Sequence, residues 1–158
     1  MRIVVMSDTH LERVNDAFAD ICTRYCKGAD MVIHLGDWSK GPVLDFLQQY
    51  PLEAVSGNSD DPVLWDRLPM KKVIRVMDFR IGITHGWGSV HDIRRKLSNE
   101  FERVDAVLFG HTHQPIISRE KGILWFNPGS VFHGRNSAGC SLGILHVEGE
   151  LRGEIIPL

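Results

Sequence analysis

Two histidines separated by one residue follow a short apolar run near position 110. Ala106 to Phe109 has the length and character of a buried strand, Gly110 ends it, and His111-Thr112-His113 follows. Residues i and i+2 of an extended segment point to the same side, so both imidazoles can reach one point. Such a pair is more often solvated or packed in a core, but two neutral imidazoles directed at one point also indicate a metal site.

Four further segments place polar donors after apolar strands. The donors are Asp8 and His10 after residues 3–6, Asp37 after residues 31–35, Asn58 after residues 53–56, and His85 after residues 80–84. Together the five segments supply seven oxygen or nitrogen donors and no sulfur. Because one divalent ion takes about four to six ligands, this set predicts two ions that share a ligand. Asp37 stands alone in its segment and has two carboxylate oxygens, so it is the candidate bridge. The competing explanation is that these polar residues only cap helices or satisfy turns.

The first half of the chain has the pattern strand, helix, strand, helix, strand. Apolar residues recur at helical spacing from Val14 to Tyr25, with Asn15 as a candidate N-cap and Gly28 beyond the end. A second helix begins near Pro42 and ends before Pro51. This order predicts parallel strands with right-handed crossovers. Functional sites in such sheets form outside the carboxyl ends of the strands.

The second half is richer in short strands joined by tight turns. Strands are predicted over 72–77 and 80–84, a helix over 90–98, and hairpins over 115–126 and 141–156. Tight turns favour antiparallel pairing. We therefore expect an α/β fold of two packed sheets, each covered by helices on its outer face.

Composition narrows the function classes. The chain has 158 residues, which suits one domain over 1–158, and 18 basic against 20 acidic side chains. This near balance gives little reason to expect a nucleic acid or an anionic membrane as partner. The three cysteines form no C-x-x-C pair, and no signal peptide or membrane span is evident. We expect a cytoplasmic protein that binds no membrane. Apolar residues such as Leu64-Trp65 are candidates for a homo-oligomer interface.

The motif order Asp-x-His, Gly-Asp, Gly-Asn, His-Gly and Gly-His-x-His resembles the calcineurin-like metallophosphoesterase superfamily. Within it the chain is similar to the small, cap-less bacterial and archaeal phosphodiesterases. The similarity extends over nearly the full length and includes Asn127-Pro128-Gly129-Ser130 and the following Arg135. The resemblance implies a four-layer α/β/β/α sandwich of two mixed sheets flanked by helices. It also implies that the protein is a hydrolase that binds metal.

The resemblance implies a specific set of ligands for each ion. The first ion would be held by Asp8, His10, Asp37 and His113. The second would be held by Asp37, Asn58, His85 and His111, of which Asp37, Asn58 and His85 are also the expected catalytic residues. The sequence does not choose the metal; manganese is our first choice, with iron, zinc and nickel as alternatives.

The expected reaction is hydrolysis of a small phosphodiester by a hydroxide that bridges the two ions. Larger members of the superfamily have a histidine after Gly-Asn that assists the leaving group, whereas this chain has Ser59. Many small relatives have a second histidine where this chain has Trp87. We expect Ser59 and Arg135 to contact the substrate, and Asp60 and Asn127 to orient the metal ligands.

Two alternatives remain open. A phosphomonoesterase or nucleotidase would use the same metal pair, although Ser59 weighs against a poor leaving group. The second alternative is a non-catalytic scaffold that uses the same fold for protein–protein contact. The superfamily includes one such member, an endosomal sorting-complex subunit with a degraded metal site. Every ligand position is intact in this chain, which favours an enzyme.

Overall fold

The computed structural model describes residues 1–134 and 139–158. Strands and helices alternate in the first half of the chain, as the sequence predicts. These elements are β1 (Arg2–Met6), α1 (Asp16–Tyr25), β2 (Met31–His34), α2 (Gly41–Leu47), β3 (Leu52–Ala54) and α3 (Pro62–Arg67). The three strands lie side by side, with β2 paired in parallel to both β1 and β3.

Strands dominate the second half. Its elements are β4 (Lys71–Val76), β5 (Phe79–Thr84), α4 (Ile93–Leu97), β6 (Ala106–Phe109), β7 (Ile116–Glu120), β8 (Ile123–Asn127), β9 (Ser141–Val147) and β10 (Leu151–Pro157). Three hairpins are antiparallel, β4 with β5, β7 with β8 and β9 with β10. Between the first two hairpins, β6 pairs in parallel with both β5 and β8.

The strands form two mixed sheets of five strands each. One sheet has the order β10-β9-β1-β2-β3 and the other has the order β4-β5-β6-β8-β7. The last hairpin belongs to the first sheet because β9 pairs antiparallel with β1. The chain therefore returns at its end to the sheet in which it began.

A central apolar core lies between the two sheets. Along β1, Ile3 and Val5 point into this core, whereas Val4 and Met6 point to the opposite face. This alternation is the two-residue period of an extended strand. Because both faces are covered, β1 is apolar over four consecutive residues, as expected for a buried parallel strand.

The helices cover the outer faces of the sheets. Phe18 and Cys22 of α1 and Val43 of α2 pack on the outer face of the first sheet. Ile93 and Leu97 of α4 pack on the second sheet. The layers are therefore helix, sheet, sheet and helix, which confirms the predicted α/β/β/α architecture.

Some local details differ from the sequence-based expectations. The Asn15 side chain caps α1 by accepting a 2.8 Å hydrogen bond from Phe18 N, as predicted. The helix expected over 90–98 is shorter, because only Ile93–Leu97 is α-helical. The helix α3 was not expected from the sequence; its N-cap is Asp61, whose side chain accepts from Leu64 N.

Within the described parts of the chain, no helix is both long enough and apolar enough to cross a membrane.

Candidate metal centre

The loops that follow β1, β2, β5 and β6 contact one another. In the first sheet, Asp8 N donates to Gly36 O over 3.0 Å. In the second sheet, Gly110 N donates to His85 O over 3.1 Å. The two sheets meet where His111 N donates to Asp8 Oδ2 over 3.1 Å. Polar residues at separate strand ends are therefore brought to one place, as expected for the carboxyl ends of parallel strands.

Asp8, His10, Asp37 and His113 form the first group. One candidate ligand atom from each of these side chains lies within 4.8 Å of every other. His113 Nε2 lies 3.0 Å from Asp8 Oδ1, and His10 Nε2 lies 3.3 Å from His113 Nε2. These are the four residues that the resemblance assigns to the first ion.

The carboxylate of Asp37 lies between two histidines. His10 Nε2 is 3.5 Å from Asp37 Oδ2, and His85 Nε2 is 3.4 Å from Asp37 Oδ1. Ser59 also contacts both oxygens, with its N donating to Oδ1 over 2.8 Å and its Oγ donating to Oδ2 over 3.0 Å. Each oxygen of Asp37 therefore faces a different histidine.

The second group extends from His85 to Asn58 and His111. His111 Nε2 lies 3.1 Å from the main-chain oxygen of Gly88, and His111 Nδ1 lies 3.0 Å from Asn58 Oδ1. A neutral imidazole has a single N–H and can donate to only one of these oxygens. Asn58 Oδ1 and His111 Nδ1 are close enough to bind one cation together.

Main-chain carbonyl groups orient two of the histidines. His85 Nδ1 donates to Leu35 O over 2.8 Å, and His113 Nδ1 donates to His133 O over 2.7 Å. In each ring this hydrogen bond directs Nε2 towards the carboxylates. Metal-binding histidines in proteins are usually held in this way, through the nitrogen that does not bind the metal.

Electrostatics keep both carboxylates ionised. Burial raises the pKa of Asp8, but its contacts with His113 and His85 outweigh burial and lower that pKa overall. Burial likewise raises the pKa of Asp37, and the adjacent imidazole of His85 lowers it further than burial raises it.

The histidines respond to the same two carboxylates. Burial lowers the pKa of His10, although the charges of Asp37 and Asp8 oppose this, and burial also lowers the pKa of His111. For His85 the balance is reversed, because Asp37 and Asp8 outweigh burial and raise the pKa. The centre therefore holds two buried negative charges among imidazoles, two of which favour the neutral form.

Two buried ligand atoms test whether a metal fits here. Within the described residues, Asp8 Oδ1 and His85 Nε2 have no hydrogen-bond partner, and they lie 4.0 Å apart. Burying a charged or polar atom without a partner is costly. Divalent cations at the two ligand groups would satisfy these atoms, Asp8 Oδ1 in the first group and His85 Nε2 in the second. The wider set of carboxylates, imidazoles and one amide suits such a cation.

The backbone is held in an uncommon conformation at this centre. Five of the seven candidate ligands have positive φ, from 49° to 69°, namely Asp8, His10, Asp37, His111 and His113. Non-glycine residues rarely adopt this region, and strain of this kind is typical of functional sites. Close packing adds a second constraint, since a Cβ on Gly57 would lie 2.2 Å from Asp37 N.

Asp60 and Asn127 contact the main chain of the ligand-bearing loops. Both are buried. Asp60 accepts hydrogen bonds from the main-chain N–H groups of residues 38, 39 and 57. Asn127 Nδ2 donates to Gly110 O over 2.8 Å and to Thr112 Oγ1 over 3.1 Å. These contacts hold loops rather than ligand side chains directly.

The two expected substrate contacts, Ser59 and Arg135, stay predictions. Arg135 lies outside the described residues. Ser59 donates to Asp37, so its hydroxyl contacts a candidate ligand.

Sequence reasoning gave no role to Ser130, whose Oγ donates to Asp8 O over 2.8 Å and accepts from His133 N over 2.8 Å. Its position after Asn127-Pro128-Gly129 was the available signal.

Comparison with known proteins identifies the family to which this chain belongs. Residues 1–150 match the calcineurin-like phosphoesterase superfamily domain. A probable metallophosphoesterase from Methanocaldococcus jannaschii is 32% identical, and the alignment covers 100% of this chain and 82% of that relative. The solution structure of a Thermotoga maritima protein is 33% identical, with a TM-score of 0.74 and 99% coverage of both chains.

The structure of a protein described as a novel archaeal phosphodiesterase has the same fold. Its TM-score is 0.74 at 24% identity, with 99% of this chain and 100% of that chain covered. The family match and the relatives above 30% identity agree with the motif order and the α/β/β/α layers. The chain belongs to the calcineurin-like phosphoesterase superfamily.

Proposed function

We propose that this chain is a metal-dependent phosphodiesterase that uses two divalent ions. Asp8, His10, Asp37 and His113 would hold the first ion. Asp37, Asn58, His85 and His111 would hold the second. When bound, such ions activate water and stabilise the charge that develops on the phosphoryl oxygens.

The observation that carries this proposal is the position of Asp37. Its Oδ2 faces His10 at 3.5 Å and its Oδ1 faces His85 at 3.4 Å, so one carboxylate can serve both ligand sets. A single ion would need only the first group. Asn58 Oδ1 and His111 Nδ1 lie 3.0 Å apart, so the two side chains could bind a second cation together with His85.

The residues of the centre favour an anionic substrate. Two divalent ions would bring four positive charges, and the carboxylates of Asp8 and Asp37 offset two of them. Asn58 contributes an oxygen without a charge. The net charge of the loaded centre would be positive, which attracts a phosphate ester.

Ser59 supports a preference for esters with good leaving groups. It occupies the position after Asn58, where larger superfamily members have a histidine that assists the leaving group. Its Oγ donates to Asp37 Oδ2 over 3.0 Å and is therefore already engaged. A leaving group that departs as a stable anion needs no proton from this position. Manganese is the first metal to test. A cytoplasmic location is part of the proposal, because three cysteines without a C-x-x-C pair are typical of a reducing compartment.

The test compares bis(p-nitrophenyl) phosphate with p-nitrophenyl phosphate on protein stripped of metal and then reloaded with manganese. We expect no activity after chelation, recovery with manganese, and a higher kcat/KM for the diester. A higher kcat/KM for the monoester would favour a phosphomonoesterase. A folded protein that binds no stoichiometric metal and hydrolyses neither ester would favour a scaffold.

Variants of Asp37 test the shared ligand. Asp37→Ala should lower kcat/KM by more than about 100-fold, because removing even an outer partner of a metal ligand costs about 10- to 100-fold. Asp78→Ala is a matched control, since Asp78 is 97% exposed and lies in the turn between β4 and β5. Near-normal turnover of Asp37→Ala would contradict the proposal.

A further inference from the structure

A cleft opens beside the second ligand group. Its volume is about 720 Å³, and Asn58 and His85 form part of its wall. Clefts of about 300–1,000 Å³ are typical of small-molecule sites. The cleft is therefore continuous with the proposed position of the phosphate and large enough for an organic substituent.

Trp65 forms one wall of the cleft and is held in place. It lies in α3, and its Nε1 donates to Gly57 O over 2.9 Å. This hydrogen bond ties the indole to the loop that carries Asn58. The side chain nevertheless remains about half exposed. A large apolar ring that is both fixed and exposed is suited to contact with a ligand.

Trp87 lines the same cleft from the loop that carries His85. It is 42% exposed, although most large apolar side chains of this chain are buried. Trp87 therefore lies in the loop of His85, and Trp65 is hydrogen-bonded to the loop of Asn58. Both loops supply candidate ligands of the second group. Met70 adds a further exposed apolar surface to the cleft.

The charged residues of the cleft compensate one another. Lys71 and Glu100 line it and form an ion pair. Away from His85 and the metal centre, the wall therefore offers no excess charge for a second phosphate or for another anionic group. An uncharged aromatic ring matches the indoles better than a charged substituent.

We propose that this cleft binds an uncharged aromatic substituent of the phosphate ester, stacked against Trp65 and Trp87 while the phosphate lies at the metal centre. The inference rests on the proposed function, because it takes the phosphate position from the candidate ligands. It names the substrate class as aromatic or nucleobase-bearing esters. Trp65 and Trp87 are then specificity-determining residues.

The experiment compares two ligands that share a phosphate and differ only in the substituent, phenyl phosphate and methyl phosphate. Calorimetry on manganese-loaded protein gives both dissociation constants. Acrylamide quenching of tryptophan fluorescence reports whether phenyl phosphate covers the exposed indoles. We expect phenyl phosphate to bind about tenfold more tightly, as stacking on an aromatic side chain provides, and to protect the fluorescence from quenching.

Variants of the cleft residues test whether the preference for phenyl phosphate over methyl phosphate depends on the cleft. Trp87→Ala and Trp65→Ala should each reduce the phenyl-to-methyl preference, whereas Trp87→Phe should keep most of it because a ring remains. Ile117→Ala is the control, since Ile117 is similarly exposed at 43% but lies on the edge strand β7. It should keep the full preference. Equal binding of the two ligands, or a preference unchanged in both alanine variants, would overturn the inference.

Two further results separate the explanations. If the chain hydrolyses no ester but shows the tryptophan-dependent preference, the proposed function fails and the aromatic site stands. If diester hydrolysis occurs without the preference, only the aromatic site fails. A dimer in solution that dissociates on Trp87→Ala would show that the cleft is an interface between two copies, which also overturns the inference.

Discussion

Replacement of Asp60 by alanine should destabilise the loops that carry the metal centre. Asp60 Oδ1 accepts from Trp38 N over 2.6 Å and from Ser39 N over 3.0 Å, and its Oδ2 accepts from Gly57 N over 2.7 Å. The carboxylate thereby joins the loop after Asp37 to the loop before Asn58. Burial raises the pKa of Asp60, and these three donors oppose that effect.

The magnitude follows from the three donors. A buried donor that loses its partner costs about 1–3 kcal/mol, so three donors set a range of about 3–9 kcal/mol. Loop N–H groups can relax towards water, and we therefore expect a loss of about 3–4 kcal/mol. Folding of a typical domain is favourable by only about 5–15 kcal/mol, so the loss is a large fraction of the total.

Urea denaturation monitored by circular dichroism measures the free energy of unfolding, with two graded comparisons. Asp60→Asn keeps the oxygen that accepts from Trp38 and Ser39 but loses the acceptor for Gly57, so it should cost about 1–2 kcal/mol. Asp61→Ala removes the N-cap of α3 and a partly exposed ion pair with Lys40, and it should cost about 1 kcal/mol. If Asp60→Ala is no more destabilising than Asp61→Ala, this explanation of Asp60 is wrong.

Three further predictions concern stability and metal binding. Burial lowers the pKa of His34 to about 3, well below the ordinary value of a histidine, so the unfolded chain binds a proton that the folded chain excludes. In chelator, the free energy of unfolding should therefore fall by about 2 kcal/mol from pH 6.5 to pH 5, and urea titrations of His34→Gln should show a flatter pH dependence. Gly110→Ala should weaken manganese binding about tenfold or more by calorimetry, because a Cβ there would lie 1.9 Å from Ser7 Oγ and 2.9 Å from Asp8 Oδ2. Gly149→Ala, where a Cβ meets nothing within 4 Å, should bind normally, and equal affinities would contradict this role of Gly110. Asn15→Ala should cost about 1 kcal/mol of unfolding free energy without changing manganese affinity, since it removes only a helix cap; an unchanged urea midpoint would refute it.

The first sheet could be predicted because its signals are local. The continuous apolar run of β1 reflects burial on both faces, and Asn15 caps α1 through a contact three residues away. The position of the last hairpin could not be predicted in this way. β9 pairs with β1, and that contact depends on the arrangement of the whole chain rather than on any short pattern.

Short helices were the weakest point of the sequence interpretation. α3 has six residues and only Leu64 is buried, so no apolar period can develop. Its Asp61-Pro62 start, an N-cap residue followed by a first-turn proline, is the local signal for this helix. α4 was expected to begin near Val90, but a turn precedes it and the helix begins at Ile93.

In the candidate site, too, the features with local sequence signals could be predicted and those that depend on the tertiary fold could not. Donor residues at strand ends could be identified from spacing, because the strands that precede them are apolar runs of clear length. The carbonyl groups of Leu35 and His133 that orient His85 and His113 could not, since every residue has a carbonyl group and only the tertiary fold selects these two. The cleft beside Trp87 depends on tertiary packing in the same way.

The most direct test of the central claim is anomalous diffraction from crystals of the wild-type protein grown with manganese. We predict two manganese ions per chain on either side of the Asp37 carboxylate, one beside His10 and His113 and the other beside Asn58 and His111. A single ion, or no ion bound by Asp37, would contradict the two-metal centre on which the proposed function depends.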